Sequence, residues 1–182
     1  MDIKVIARIE NDFTEKFGVP RQSGLADIRS RIVFEPEYRI ADAFRGLEGF
    51  THIWLLWQFS EAVRGNWSPT VRPPRLGGNT RMGVFATRSP FRPNSIGLSS
   101  VRLDKIDLHT PDGPVLYVSG ADLMNGTPII DIKPYLAYTD SHPEASGGFA
   151  LTDREGRMKV DISSELAAVF PEEKLNGLVQ VL

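Results

Sequence analysis

The sequence predicts a mainly β protein: a small β-barrel with one or two helices and a short α+β appendage at the C-terminus. Two observations predict it. Six or seven short runs of β-branched and aromatic residues follow one another through residues 1–140, separated by turns rich in Gly and Pro. The signatures of the common α/β folds are also missing: no G-x-G-x-x-G follows a strand, and there is neither a Walker A segment nor a G-x-S-x-G elbow. With 182 residues, 41% of them hydrophobic, the chain is long enough for one domain with a real core.

The elements follow in order. "IKVIARIE" (3–10) alternates and reads as a first strand. Residues 11–27 form a long loop punctuated by Gly and Pro. "SRIVFEP" (30–36) is a strand closed by Pro36. Residues 37–50 carry Ile40, Ala43, Phe44 and Leu47 at helical spacing, so a helix is expected, stopped by Gly46 or Gly49. "THIWLLWQFSEA" (51–62) is almost continuously apolar and predicts a strand buried on both faces. Residues 65–80, with three prolines and three glycines, are loop. Strands are expected over 81–88, 95–108, 114–123 and 127–136, the last ending at Pro134. A linker is expected over 141–156. The tail, 157–182, combines a strand-like "RMKVDIS" with a short helix capped by Ser163 or Ser164.

Composition narrows the chemistry. There is no cysteine, and His52, His109 and His142 show no ligand spacing, so no metal site is expected. The charged N-terminus is no signal peptide, and the longest apolar run, 53–57, is too short to span a bilayer. A soluble, cytoplasmic protein without membrane contact is expected. Charge is distributed unevenly. From Ala62 to Leu103 there is no Asp or Glu, while Arg64, Arg72, Arg75, Arg81, Arg88, Arg92 and Arg102 all lie there. That window carries +7 in a chain of net charge −2, so the rest carries −9. A solvated loop face is one reading. The all-arginine composition favours another, a grip on phosphate or carboxylate, because the guanidinium binds such groups bidentately.

Three stretches and a few single residues stand out. In "RMGVFATRSPFRPNSIGLSS" (81–100), Pro90 and Pro93 stiffen the loop that bears Arg88 and Arg92. In "MNGTPIIDIKPY" (124–135), Asn125-Gly126 signals a tight turn. Alternation beyond it places Ile130 and Ile132 on one face and Asp131, Lys133 and Tyr135 on the other. Those three form either an acid/base set or a salt bridge beside a surface tyrosine. "VPRQSG" (19–24) is a generic loop on pattern alone. His52 reads as a core residue, as do Trp54, Trp57 and Phe59. Trp67, among arginines in a Pro-rich loop, is suited to stacking on a base.

Together "VPRQ", "RGLEGFTHIWLL", "PPRLGG", "MGVFATRSPFRPNSIGLS" and "NGTPIIDIKPY" closely resemble the TrmO (YaeB/VirR-like, TsaA-like) family of S-adenosylmethionine-dependent tRNA methyltransferases, from Met1 to about Ser141. The resemblance implies a homodimeric enzyme that N6-methylates N6-threonylcarbamoyladenosine at position 37, in the tRNA anticodon loop. A non-catalytic RNA-binding barrel with Arg-rich loops is the alternative. The resemblance implies S-adenosyl-L-methionine contacts at Pro20, Arg21, Gln22, Phe59, Ser60, Arg88, Leu98, Asn125, Gly126, Thr127 and Pro128. Ser60 stands where a larger polar residue is expected, and Asn125 replaces the family's Asp. Arg72, Arg75, Arg92 and Lys133 are expected on the RNA, with Asp131 and Tyr135 as catalytic candidates. The expected domains are a cofactor-binding barrel over 1–140, the linker, and the start of a small C-terminal domain. The family continues past a "VLAQDPRP"-like stretch, so an ending at "GLVQVL" reads as truncated.

Overall fold

A computed structural model describes residues 2–62, 66–150 and 160–181. Six antiparallel strands close into a barrel: β1 (Ala7–Glu10), β2 (Arg29–Phe34), β3 (His52–Gln58), β6 (Ile96–Thr110), β7 (Gly113–Ser119) and β8 (Pro128–Pro134), in the order β1-β2-β7-β6-β3-β8. Closure leaves no free sheet edge among them. A separate hairpin pairs β4 (Thr70–Val71) with β5 (Met82–Gly83). The helices are short: α1 (Ala137–Asp140), α2 (Ser164–Ala167) and α3 (Glu172–Val181).

The chain divides into two compact units. The first comprises Met1–Trp57, Leu98–Tyr135 and Met158–Leu182, and the second Gln58–Gly97 and Leu136–Arg157. The first unit holds the barrel core. Ala7 and Ile9, Ile32 and Phe34, Ile53, Leu55 and Trp57, Val101, Val115, Leu116, Val118 and Ile129 are all buried. Each strand contributes through its period-2 alternation, and burial of this apolar area drives closure. A polar chain runs through the core: the Trp57 indole donates to Ser99 Oγ (2.9 Å), and Ser99 donates in turn to Asp122.

Several expectations change. The helix expected over 37–50 is instead three 3-10 turns, Pro36–Tyr38, Ala41–Phe44 and Leu47–Gly49. Their apolar spacing is real, since Phe44 is buried edge-on against Phe34 at 4.8 Å. Gly46 takes a left-handed conformation (φ 87°), which breaks the run before a helix can propagate. Strand β3 is not buried on both faces: Ile53, Leu55 and Trp57 point in, while Trp54 and Leu56 are half-buried. His52 is exposed, with its ring 6.3 Å from that of Tyr135, and is not a core residue. The strand expected over 81–88 shrinks to β5 and a 3-10 turn, Val84–Ala86.

The facing in β8 also changes. Leu55 pairs with Ile132 and Trp57 with Ile129, because a bulge leaves Ile130 without a register partner. Ile132 therefore shares its face with Ile129 rather than with Ile130, since one extra residue shifts the alternation by a step. In the tail, residues 157–159 of the expected strand lie outside the described residues, and 160–163 adopt no regular structure. The helix α3 lies along the loop 11–28. Lys174 pairs with Asp12 (2.9 Å), Gln180 accepts from the Asp27 amide (2.6 Å), and Gly177 is buried beside Ile28.

Candidate functional site

In the first unit, the turn at 125–128 is fixed on every side by backbone. Thr127 N donates to Met124 O (3.2 Å), and Gly126 sits at φ 78°, which its missing Cβ permits. Asn125 N donates to Phe13 O (2.8 Å), and Gly126 N donates to Ile9 O (2.8 Å). Asn125 Oδ1 accepts from the Asn11 amide (3.1 Å). An Asp oxygen could accept the same bond, so Asn keeps the turn while removing a charge. Thr127 and Pro128 are buried, whereas Asn125 and Gly126 stay open to solvent.

The loop bearing Pro20, Arg21 and Gln22 is tied to the barrel at Gly120. Gly24 N donates to Gly120 O (2.9 Å), and Gly120 N donates to Ile28 O (3.2 Å). Gly120 has φ 85°, and a Cβ on it would meet the Gly24 backbone at 3.4 Å. Only glycine combines that conformation with so close an approach. Arg21 is exposed; Pro20 and Gln22 are half-buried. Leu98, between buried Gly97 and Ser99, turns outward and is 54% exposed.

The catalytic candidates lie on β8 and just beyond it. Asp131 accepts from the Ile132 amide (2.9 Å) and forms an ion pair with Lys133 (3.0 Å). The Tyr135 ring packs 5.4 Å from that of Trp54. Asp131 also lines an apolar groove of about 540 Å³ with Phe34, Phe44, Phe50 and Ile132. Among the described residues no cluster of three or more His, Cys, Asp or Glu gathers as a metal ion needs. Nor is any described helix long and apolar enough to cross a membrane.

The second unit carries the arginine segment. Arg72, Arg75, Arg81 and Arg88 are exposed, and Arg64 lies outside the described residues. Arg81 donates to Thr70 Oγ1 (3.3 Å) across the hairpin. Arg92 is half-buried and donates to the carbonyls of Thr87 (2.9 Å) and Ser89 (3.3 Å), bracing the double-proline turn. Ser95 Oγ closes that turn onto Pro90 O (3.0 Å), and Phe59 N donates to Ser95 O (2.9 Å). Ser60, exposed, opens a 3-10 turn. Trp67 and Phe85 lie near-parallel, with ring centroids 6.2 Å apart.

One member of the window has other partners. Arg102 belongs to the barrel unit, where it pairs with Asp104 (2.7 Å) and Asp27 (3.0 Å). The Asp104 hydrogen bond, then its charge, raises the guanidinium above its ordinary pKa. Counting charge along the chain missed this, because Asp27 lies outside the window.

Comparison with known proteins supplies the family. The model of the tRNA-methyltransferase O N-terminal domain matches residues 8–141. The tRNA (adenine(37)-N6)-methyltransferase of Escherichia coli (strain K12) is 48% identical over 162 residues, 88% of this chain and 68% of that protein. A Methanothermobacter thermautotrophicus protein named "Probable S-adenosyl-L-methionine-binding protein" is 36% identical over 139 residues, 76% of this chain and 93% of its own length. A crystal structure of TrmO from Pseudomonas aeruginosa superposes with a TM-score of 0.75 at 35% identity, covering all of this chain and 76% of that one. The chain thus spans about two thirds of the length of its Escherichia coli relative. With the closed barrel and the Asn-Gly-Thr-Pro turn in place, the chain belongs to the tRNA-methyltransferase O N-terminal domain family.

Proposed function

We propose that this chain is the S-adenosylmethionine-binding core of a tRNA adenine-N6 methyltransferase, acting on N6-threonylcarbamoyladenosine at position 37. The observation that carries the reading is the family match over 8–141, which takes in each loop described above. The acid-free arginine segment of a chain with net charge −2 supports an anionic macromolecule as substrate. The protein is proposed to act as a homodimer in the cytoplasm. Residues 157–182 are read as part of a small C-terminal domain joined through 141–156.

The residues present fit the cofactor. In the barrel unit, Asn125 and Gly126 offer open polar groups on a fixed turn, and Leu98 offers an exposed apolar face. Arg21 offers an exposed guanidinium suited to a carboxylate. Pro20, Gln22, Thr127 and Pro128 complete that unit's set. The second unit carries Phe59, Ser60 and Arg88. When bound, S-adenosylmethionine supplies a methyl group already activated on a sulfonium. The protein's part is then to align that carbon with the acceptor nitrogen and exclude other geometries. As N6 forms its new bond to carbon it must lose a proton. Asp131 and Tyr135 are proposed to accept or orient that proton, Lys133 holding the Asp131 carboxylate in place at 3.0 Å. Arg72, Arg75 and Arg92 are assigned to the RNA backbone, where arginines fix register.

The test is label transfer from S-adenosylmethionine to threonylcarbamoylated tRNA. Methylation at N6 is expected. Absence of transfer by protein that still binds the cofactor in calorimetry would reduce the chain to a binding module.

A further inference from the structure

Two large aromatic rings stand in water beside the arginines of the second unit. Trp67 is 49% exposed and Phe85 73%. Their planes differ by only 22°. Such rings normally seek the core, and an exposed apolar pair rimmed by polar groups marks a contact surface. The local fold holds them there. Val84, 1% exposed, anchors the 3-10 turn Val84–Ala86, so the next side chain, Phe85, faces outward. Thr87 Oγ1 donates back to Val84 O (2.9 Å) and locks that turn. Val84 N donates to Pro69 O (3.0 Å), just before the facing strand β4, which extends the β4–β5 ladder one step past Thr70↔Gly83. Ser68 N donates to Phe91 O (3.3 Å), and Ser68 Oγ donates to Thr70 O (2.6 Å). Both rings are therefore preorganised before any ligand arrives.

We propose that Trp67 and Phe85 form a platform on which one unpaired nucleobase of the RNA substrate stacks. This rests on the tRNA methyltransferase reading and adds a base contact to the phosphate contacts of the arginines. A base suits the platform because it offers a flat face and is tethered to a phosphate. Arg81, held on Thr70 of the same hairpin, is a cation in reach of such a backbone. The segment from Ala62 to Leu103 itself contributes no Asp or Glu. A second copy of this chain is the poorer occupant. A two-fold contact centred here would set the same arginines against each other.

The test uses the whole chain and two probes, a synthetic anticodon stem-loop and inorganic polyphosphate, which carries charge but no bases. Trp67→Ala and Phe85→Ala should each weaken stem-loop binding about ten- to hundredfold. They should leave the slope of log affinity against log salt unchanged, leave polyphosphate binding unchanged, and raise KM for tRNA far more than they change kcat. Trp67→Phe should restore most of the affinity. The stem-loop should quench tryptophan fluorescence in the wild type and not in Trp67→Phe, a readout that needs no destabilising variant. Unchanged stem-loop affinity in both alanine variants, or equal losses on polyphosphate, overturns the platform while leaving the methyltransferase reading intact. Dissociation of a dimer by either alanine variant, with RNA binding retained, would make the patch a subunit face instead. A wild type that binds no RNA overturns both readings.

Discussion

In the barrel unit, cations sit beside acids. Arg8 pairs with Glu35, Arg31 with Glu10 and Asp112, Arg102 with Asp27 and Asp104, and Lys105 with Asp107. In the arginine segment, Arg81 donates to the Thr70 hydroxyl and Arg92 to the backbone carbonyls of Thr87 and Ser89. These bonds orient a guanidinium without cancelling its charge. Charges paired along and around the strands suit a scaffold: they stay solvated and leave little field outside. Arginines braced by neutral groups on Pro-stiffened loops leave their field for a partner. The same residue type thus does two jobs in one chain, and its partners, not its position in the sequence, decide which.

The contrast can be broken at several points. The largest effect is expected in the core. Leu55→Ala should destabilise the fold by about 2–5 kcal/mol, read from urea unfolding, whereas Arg72→Ala should stay within about 0.5 kcal/mol. A similar midpoint shift in both would erase the scaffold-versus-surface distinction. Gly120→Ala should destabilise by about 1–2 kcal/mol, because it meets both a left-handed backbone and the Gly24 contact. It should also weaken S-adenosylmethionine binding in calorimetry by disturbing the loop at Arg21. Arg75→Ala should weaken tRNA binding severalfold and reduce the salt slope by about one, whereas Arg102→Ala should leave that slope alone. An equal drop in both would return Arg102 to the phosphate-binding set.

The smallest effect concerns pH. The hydrogen bond from Lys105, then that from the His109 amide, holds the Asp107 carboxyl below its ordinary value. Its contribution is present above the unfolded-state pKa and lost as pH falls through the lower folded value. The difference in urea midpoint between wild type and Asp107→Asn should therefore be small at neutral pH and vanish on acidification. A difference that persists in acid would mean that Asp107 acts through packing rather than charge.

Much of this was legible in the chain. Alternation in 3–10 and the strand readings of 30–36 and 95–108 located three barrel strands, and Asn125-Gly126 located a turn that the structure fixes with backbone bonds on both sides. What stayed hidden was non-local. The bulge at Ile130 depends on how β3 and β8 register, so alternation counted along β8 alone puts the wrong isoleucine on the face of Ile132. The same limit hid the acid partners of Arg102. The 3-10 turns over 36–49 satisfy helical spacing because Phe44 needs to reach Phe34, while Gly46 denies the backbone a continuous helix. Phe85 gave no outward sign, because a Val-Phe-Ala run reads as core until burial of Val84 shows which of its members faces in. Docking of α3 on the loop 11–28 rests on a lysine, a glutamine and a glycine, which form no apolar stripe to read.

The barrel's seam has a biosynthetic consequence. Strand β1 pairs with β2 nearby, but its other neighbour is β8, where Ala7 meets Ile129. During translation the first strand can therefore find one partner early, and its second edge must wait for most of the chain to be made. Until β8 emerges, that edge is open to any extended segment that reaches it. A nascent chain stalled before Pro128 would thus expose unpaired strand edges to its neighbours, and it is in this interval, rather than in the finished molecule, that the protein is most exposed to mispairing.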